Sequence, residues 1–241
     1  MIRLLSFLSM LALWQGAALL SDPRHLPAPG PVGLAIWEEA RSGALFSNLG
    51  ATLARVAASF ALAMTLGSAL GYWMGRDRRV DAILDPWLVA LLNLPALVVI
   101  VLAYIWAGLG EAAAVGAVAL NKLPGAMVVA REGARAQDPL LDEMARAFRL
   151  PWRARLRHLV LPQLAPYLAA ATRSGLSLVW KIVLIVELIG RPNGVGFKIN
   201  MAFQLFDVRL LLAYALPFVG LMLCVETFLV QPFERRVSRW R

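Results

Sequence analysis

The 241 residues are 60% hydrophobic and only 16% charged, with a mean hydropathy of +0.67. Soluble domains sit nearer half apolar and a quarter charged, so an ordinary water-soluble fold is excluded. The formal charge of +9 raises nucleic acid or anionic lipid as partners; the basic residues fall in short stretches between apolar runs, which is the pattern that orients membrane proteins and argues against nucleic acid.

The first apolar run is Leu4–Leu20, preceded by Arg3. It reads as an uncleaved spanning helix or as a signal peptide, since Gly16-Ala17-Ala18 offers small residues for cleavage. Residues 21–48 form a loop with Pro23, Pro27, Pro29 and Pro31 and a short surface helix around Leu34–Leu45. Five further runs follow: Leu53–Met74, Trp87–Trp106, Ala112–Ala130, Pro166–Ile189 and Leu210–Val230. Each is close to the roughly twenty residues a helix needs to cross the hydrocarbon core. The expected fold is therefore all-α and integral to a membrane, with about six transmembrane helices. Residues 1–47 form an N-terminal helix with its loop, and residues 48–241 a core of five helices.

Lys and Arg counts orient the chain. With six spans, Arg3, the Arg76–Arg79 turn, the polar segment Arg131–Gln163 and the tail Glu234–Arg241 share one side and carry fifteen basic residues. The opposite side carries Arg24, Arg41, Arg191, Lys198 and Arg209. Both termini are expected in the cytoplasm of a bacterial cell whose inner membrane the chain crosses several times. The lone Cys224 lies in an apolar run and reads as a packing residue.

The segment Arg131–Gln163 is longer than a connection requires and its sequence looks ordered. Asp138 is placed to cap a helix, and Pro139 sits at its first position. Acidic Asp142 and Glu143 precede basic Arg146 and Arg149, which suits the helix dipole. Leu140, Leu141, Met144 and Phe148 recur at helical spacing. Pro151 interrupts, and a second helix is expected over Trp152–Leu161, ended by Pro162. Two readings of this helix pair stay open: interfacial helices resting on lipid headgroups, or a docking element for a cytoplasmic partner.

Several ionisable groups lie at bilayer depth, where they are costly and usually face a pathway or a partner. Lys122, beside Asn121, is in the fourth run, Arg173, Lys181 and Glu187 are in the fifth, and Glu226 is in the sixth. They line a route for an anion, or they pair internally, as Lys122 with Glu187 would. Asn93 before Leu94-Pro95 contributes to the same route or satisfies local backbone groups. Gly67, Gly71 and Gly75, at four-residue spacing, point to close helix packing, with a dimer contact as the alternative.

Glu143-Met144-Ala145, then Arg149, then Leu159-Val160-Leu161-Pro162 resembles the EAA motif of ABC importer permeases. That motif reads Glu-Ala-Ala, three residues, Gly, nine residues, an aliphatic residue, any residue and Leu-Pro. Glu143, Ala145, Leu159, Leu161 and Pro162 are in register; Met144 and Arg149 depart. With Arg149 in place of glycine, Leu150-Pro151 is expected to make the turn another way. Asn48–Val56, Leu66–Gly71, Met74-Gly75-Arg76, Leu84-Asp85-Pro86, Leu94-Pro95-Ala96, Asp138-Pro139 and Gly194-Val195-Gly196 extend the likeness, which is nearest to the subgroup importing nitrate, sulfonates, taurine and some vitamin precursors.

The resemblance implies a type I importer permease fold with cytoplasmic coupling helices. It implies Leu141, Glu143, Met144, Ala145, Phe148, Arg149, Leu161 and Pro162 as the ATPase-coupling surface. The implied partners are a second permease copy, two cytoplasmic ATPase subunits, a periplasmic substrate-binding protein and membrane lipid. No cofactor and no catalytic residue are expected in this chain; ATP and Mg belong to the ATPase, since the sequence has no Gly-x-x-x-x-Gly-Lys-Ser/Thr. The implied substrate is a small anion, with a neutral or vitamin-precursor substrate as the alternative. A self-contained secondary transporter is the competing class, but it predicts internal repeats that the sequence does not display.

Overall fold

The computed structural model describes residues 2–232, and for residues 2–4, 7 and 174 the backbone alone. The basic tail Glu234–Arg241 lies outside the described residues. The elements in chain order are α1 (Ile2–Leu19), α2 (Pro29–Arg41), α3 (Ala44–Arg76), α4 (Arg78–Asn93), α5 (Ala96–Ala107), α6 (Glu111–Arg135), α7 (Pro139–Ala147), α8 (Trp152–Arg155), α9 (Leu161–Gly190), α10 (Val195–Gln204) and α11 (Val208–Val225).

Among the described residues, four helical runs are long and apolar enough to cross a bilayer, α3, α6, Trp152–Gly190 and Val208–Val230, and the bent pair α4 and α5 makes a fifth if it counts as one span. The six apolar runs of the sequence are thus not six equal spans. α1, Ile2–Leu19, has 18 residues, at the short end of what a span needs. The expected straight helix over Trp87–Trp106 is instead two helices, α4 and α5, bent by 100°. Pro95 is the cause. It has no N–H to give to the carbonyl of Leu91, and it holds the preceding Leu94 in an extended conformation (φ −73°, ψ 126°). Asn93 folds its amide back onto the Val89 carbonyl at 2.7 Å, closing the end of α4.

The second expected helix, Trp152–Leu161, does not stop at Pro162. It continues through a π turn over Leu156–Val160 straight into α9. The wider turn lets Leu161 N–H reach back to Leu156, so a proline one residue later enters without a break. The second expected helix and the fifth apolar run are therefore one helical rod, Trp152–Gly190, and α6 itself runs on to Arg135.

The chain makes two compact units, residues 1–54 with 184–223, and residues 55–183 with 224–241. In the second unit α3 packs along α6. A Cβ on Gly71 would lie 2.2 Å from the Met127 carbonyl oxygen, and one on Gly75 would lie 2.5 Å from the Ala134 Cβ. The glycine row is thus a helix-packing seam. Met74, Leu88 and Met127 form a buried cluster beside it, with Leu70, Val80, Leu84 and Leu123 around them. Arg131 fastens α6 to α4 through Asp81 and Asp85. In the first unit the buried residues Val32, Ala35, Val195, Ala202, Ala213 and Tyr214 join α2, α10 and α11. Glu39 ties the same three helices, accepting the Tyr214 hydroxyl and facing Lys198 Nζ at 3.7 Å.

Candidate functional site

Asp138 caps α7, accepting the Leu140 N–H at 2.9 Å, and Pro139 opens the helix. Ala145 is buried, Leu141 is half-buried, and these residues form the inner face. The other apolar residues point away: Leu140 is 70% exposed, Phe148 75%, and Met144 lies between them at helical spacing. Leu140, Met144 and Phe148 thus form an outward-facing apolar stripe along α7. Glu143 is exposed beside this stripe and makes no ion pair among the described residues.

Asp142 is what holds α7 in place. Its carboxylate accepts Arg76 from the end of α3 and Arg155 Nη2 from α8 at 2.7 Å. Burial pushes the Asp142 carboxyl up, but hydrogen bonds from the Arg76 and Arg155 guanidiniums outweigh it and hold the group below its ordinary value.

Arg149 has φ +48°, the left-handed conformation glycine adopts most easily. Its N–H bonds the Arg146 carbonyl and the Leu150 N–H bonds the Ala145 carbonyl, which closes α7 in a Schellman motif. The turn is therefore the one a glycine would make. Arg149 itself adopts it, and the expectation that Leu150-Pro151 turns differently is corrected. Leu161 is exposed and Pro162 stands inside the continuous rod.

Lys122 on α6 is only 5% exposed and makes no ion pair among the described residues. Its side chain lies across α9 at Gly175, where a Cβ would come within 2.1 Å of Lys122 Cε and 2.4 Å of Nζ. Arg173 and Lys181, both exposed, lie on either side of Gly175 in α9, about 12 Å apart along the axis. Arg173 faces Glu226 at 3.3 Å. Asn121 turns back onto the Ala117 carbonyl. Glu187 is fully buried in the first unit, and its carboxylate accepts the Thr52 hydroxyl at 2.9 Å and the Gly196 N–H at 2.8 Å.

The sequence profile of binding-protein-dependent transport system inner membrane components matches residues 63–239. The chain belongs to this family. A Bacillus subtilis permease protein named for aliphatic sulfonates transport is 29% identical, covering 96% of this chain and 84% of its own. The Escherichia coli taurine transport system permease protein is 25% identical over 96% of this chain and 86% of its own. A Synechococcus elongatus bicarbonate transport system permease protein is 26% identical over 92% and 85%. Among solved structures, an inward-facing form of the methionine ABC transporter MetNI aligns with a TM-score of 0.63 at 18% identity, covering 78% of this chain and 93% of that one. An amino acid ABC transporter structure aligns at 0.63 and 20% identity, covering 82% and 95%. These two establish the fold as that of an ABC importer permease.

The sequence reading of this permease missed two arrangements. Arg55, 4% exposed in α3, makes a two-pronged ion pair with Glu111 in the first turn of α6, with contacts of 2.9 and 2.6 Å. The other is the set around Glu187. Asn48 Oδ1 accepts the Gly194 N–H at 2.8 Å, and Thr52 Oγ1 accepts the Val195 N–H at 2.9 Å. Asn48 and Thr52 are one turn apart on one face of a spanning helix. That spacing of polar residues, with Gly-Val-Gly following a buried acid, was the available signal.

Proposed function

We propose that this chain is the pathway-forming subunit of an ATP-driven importer of a small anion, working by alternating access. Two copies would pair, two cytoplasmic ATPase subunits would dock on their α7 helices, and a periplasmic binding protein would deliver substrate. The α7 segment and the Arg76–Arg79 turn would then be cytoplasmic, with both termini on that side. The observation that carries the coupling is α7: an exposed apolar stripe and a carboxylate with no ion-pair partner among the described residues, on a helix fastened from behind by Asp142. ATP and Mg would be bound by the ATPase.

Substrate class rests on Lys122. A cation buried at membrane depth with no ion pair among the described residues is stabilised when an anion comes to it. Relatives named for sulfonate, taurine and bicarbonate transport are consistent with that charge. Lys181, on α9, would extend the same positive route, whereas Arg173 is paired with Glu226.

The test is uptake of labelled sulfonate, taurine, nitrate and bicarbonate by the importer in proteoliposomes. Lys122→Met is expected to cut uptake of the transported anion by about ten- to a hundredfold, the weight of a charge-assisted contact. Gly175→Ala, which drives a methyl into Lys122, should lower it in the same direction. Undiminished uptake by both variants would remove Lys122 from the pathway and favour a neutral substrate such as a vitamin precursor.

A further inference from the structure

At the basic end of α3 a cavity of about 600 Å³ is lined by Met74, Gly75, Arg76, Arg78, Asp81 and Arg135. Three guanidiniums face it against one carboxylate. That carboxylate is already engaged, since Asp81 takes Arg135 at 2.6 Å and Arg131 at 2.8 Å. Arg76 gives Nη2 to Asp142 and keeps its other donors out of the five a guanidinium carries. Arg78 is exposed and has no ion pair among the described residues. Arg135 also faces Glu132 at 3.4 Å, so Arg78 carries the cavity's unneutralised charge, and the paired guanidiniums of Arg76 and Arg135 add N–H groups beyond those their carboxylates take, which is chemistry that recognises phosphate. Its walls are set by backbone packing, because Gly75 lies directly against Ala134 on α6.

We propose that this cavity binds a phosphate group, and that the occupant is the headgroup of an acidic phospholipid. The position favours lipid over a free anion. Arg76 ends a spanning helix, where basic side chains meet the headgroup layer. Trp73, Ile83 and Trp87 project from the same two helices with 58%, 66% and 69% of their surface exposed. Trp73, one turn before Arg76, is of the residue type enriched at the membrane interface, and a soluble phosphate would leave that apolar surface uncovered. Basic pockets between spanning helices hold anionic headgroups in this manner.

The experiment is native mass spectrometry of the full-length chain purified in detergent and titrated with phosphatidylglycerol or phosphatidylethanolamine, with inorganic phosphate as competitor. Phosphatidylglycerol is expected to be retained about fivefold more tightly than the zwitterionic lipid, as one unneutralised cation beside a headgroup would produce. Arg78→Gln, whose exposed side chain supports no fold contact, should weaken retention about fivefold, and Arg135→Gln at least as much. Arg24→Gln, outside the cavity, should leave retention unchanged. Equal retention of the two lipids, or wild-type retention by both cavity variants, would overturn the site. Displacement of the lipid by millimolar inorganic phosphate would overturn the lipid assignment and give the cavity to a soluble anion.

Discussion

Thr52 on α3 donates its hydroxyl to the Glu187 carboxylate on α9 at 2.9 Å, and both residues are fully buried. The same carboxylate oxygen takes the Gly196 N–H at the start of α10, where the positive end of a helix favours an anion. Removing the carboxylate strands the Gly196 N–H in the interior and leaves the Thr52 hydroxyl only the Asn48 carbonyl, at 3.1 Å. Glu187→Ala is therefore expected to lower the unfolding free energy of the purified permease by about 3 kcal/mol, the range for hydrogen bonds to a charged group. Glu187→Gln, which keeps one acceptor, should lose less. A variant as stable as wild type but altered in substrate selectivity would show that Glu187 serves the pathway instead of the packing.

Arg149 occupies a left-handed position at no evident gain from its exposed side chain. Arg149→Gly removes a conformational cost of about 1 kcal/mol. In a chain of this size that should raise the thermal midpoint by about 2 °C. Arg149→Val, branched at Cβ, should lower it. A lower midpoint for the glycine variant would mean that the arginine side chain contributes a contact worth more than the strain.

Asp142 makes the attachment of α7 depend on pH. Its folded value lies below the ordinary carboxylate value. The stabilisation it contributes is therefore fully present above the ordinary range and is lost as pH falls through the lowered value. Thermal midpoints measured from pH 8 downwards should show Asp142→Asn less stable than wild type by a constant margin. That margin should narrow as pH falls below the ordinary carboxylate range and close once pH has passed below the lowered value, where the wild-type carboxylate protonates. A margin that persists at the lowest pH would mean that Asp142 acts through shape and not charge.

Much of α7 was legible because its signals are local. The Asp138 cap, the first-turn Pro139 and the placement of Asp142 and Glu143 all appear in the structure where sequence chemistry puts them. The prolines were harder to read because a proline removes one hydrogen bond without saying how the chain responds. At Pro95 the response is a 100° bend, helped by Asn93 closing the previous helix. At Pro162 it is a π turn that preserves the rod. The choice depends on what packs around each site. Intramembrane charge had the same limit: the sequence exposed Arg173, Lys122 and Glu187, but only the fold pairs Arg173 with Glu226 and sets Glu187 beneath Gly196. Arg55, at the start of an apolar run, has its carboxylate partner, Glu111, 56 residues away, where no local pattern links the two.

The central claim is that α7 couples this permease to an ATPase through Glu143 and the Leu140, Met144 and Phe148 stripe. The most direct measurement is copurification of the cognate ATPase with permease bearing Glu143→Arg, together with substrate-stimulated ATP hydrolysis in proteoliposomes. A charge-assisted contact at that position is expected to weigh about ten- to a hundredfold in docking. The variant should insert and fold, retain little ATPase and show little stimulated hydrolysis. Wild-type copurification together with wild-type stimulation from the charge-reversed chain would contradict the account, because α7 would then not be the coupling element.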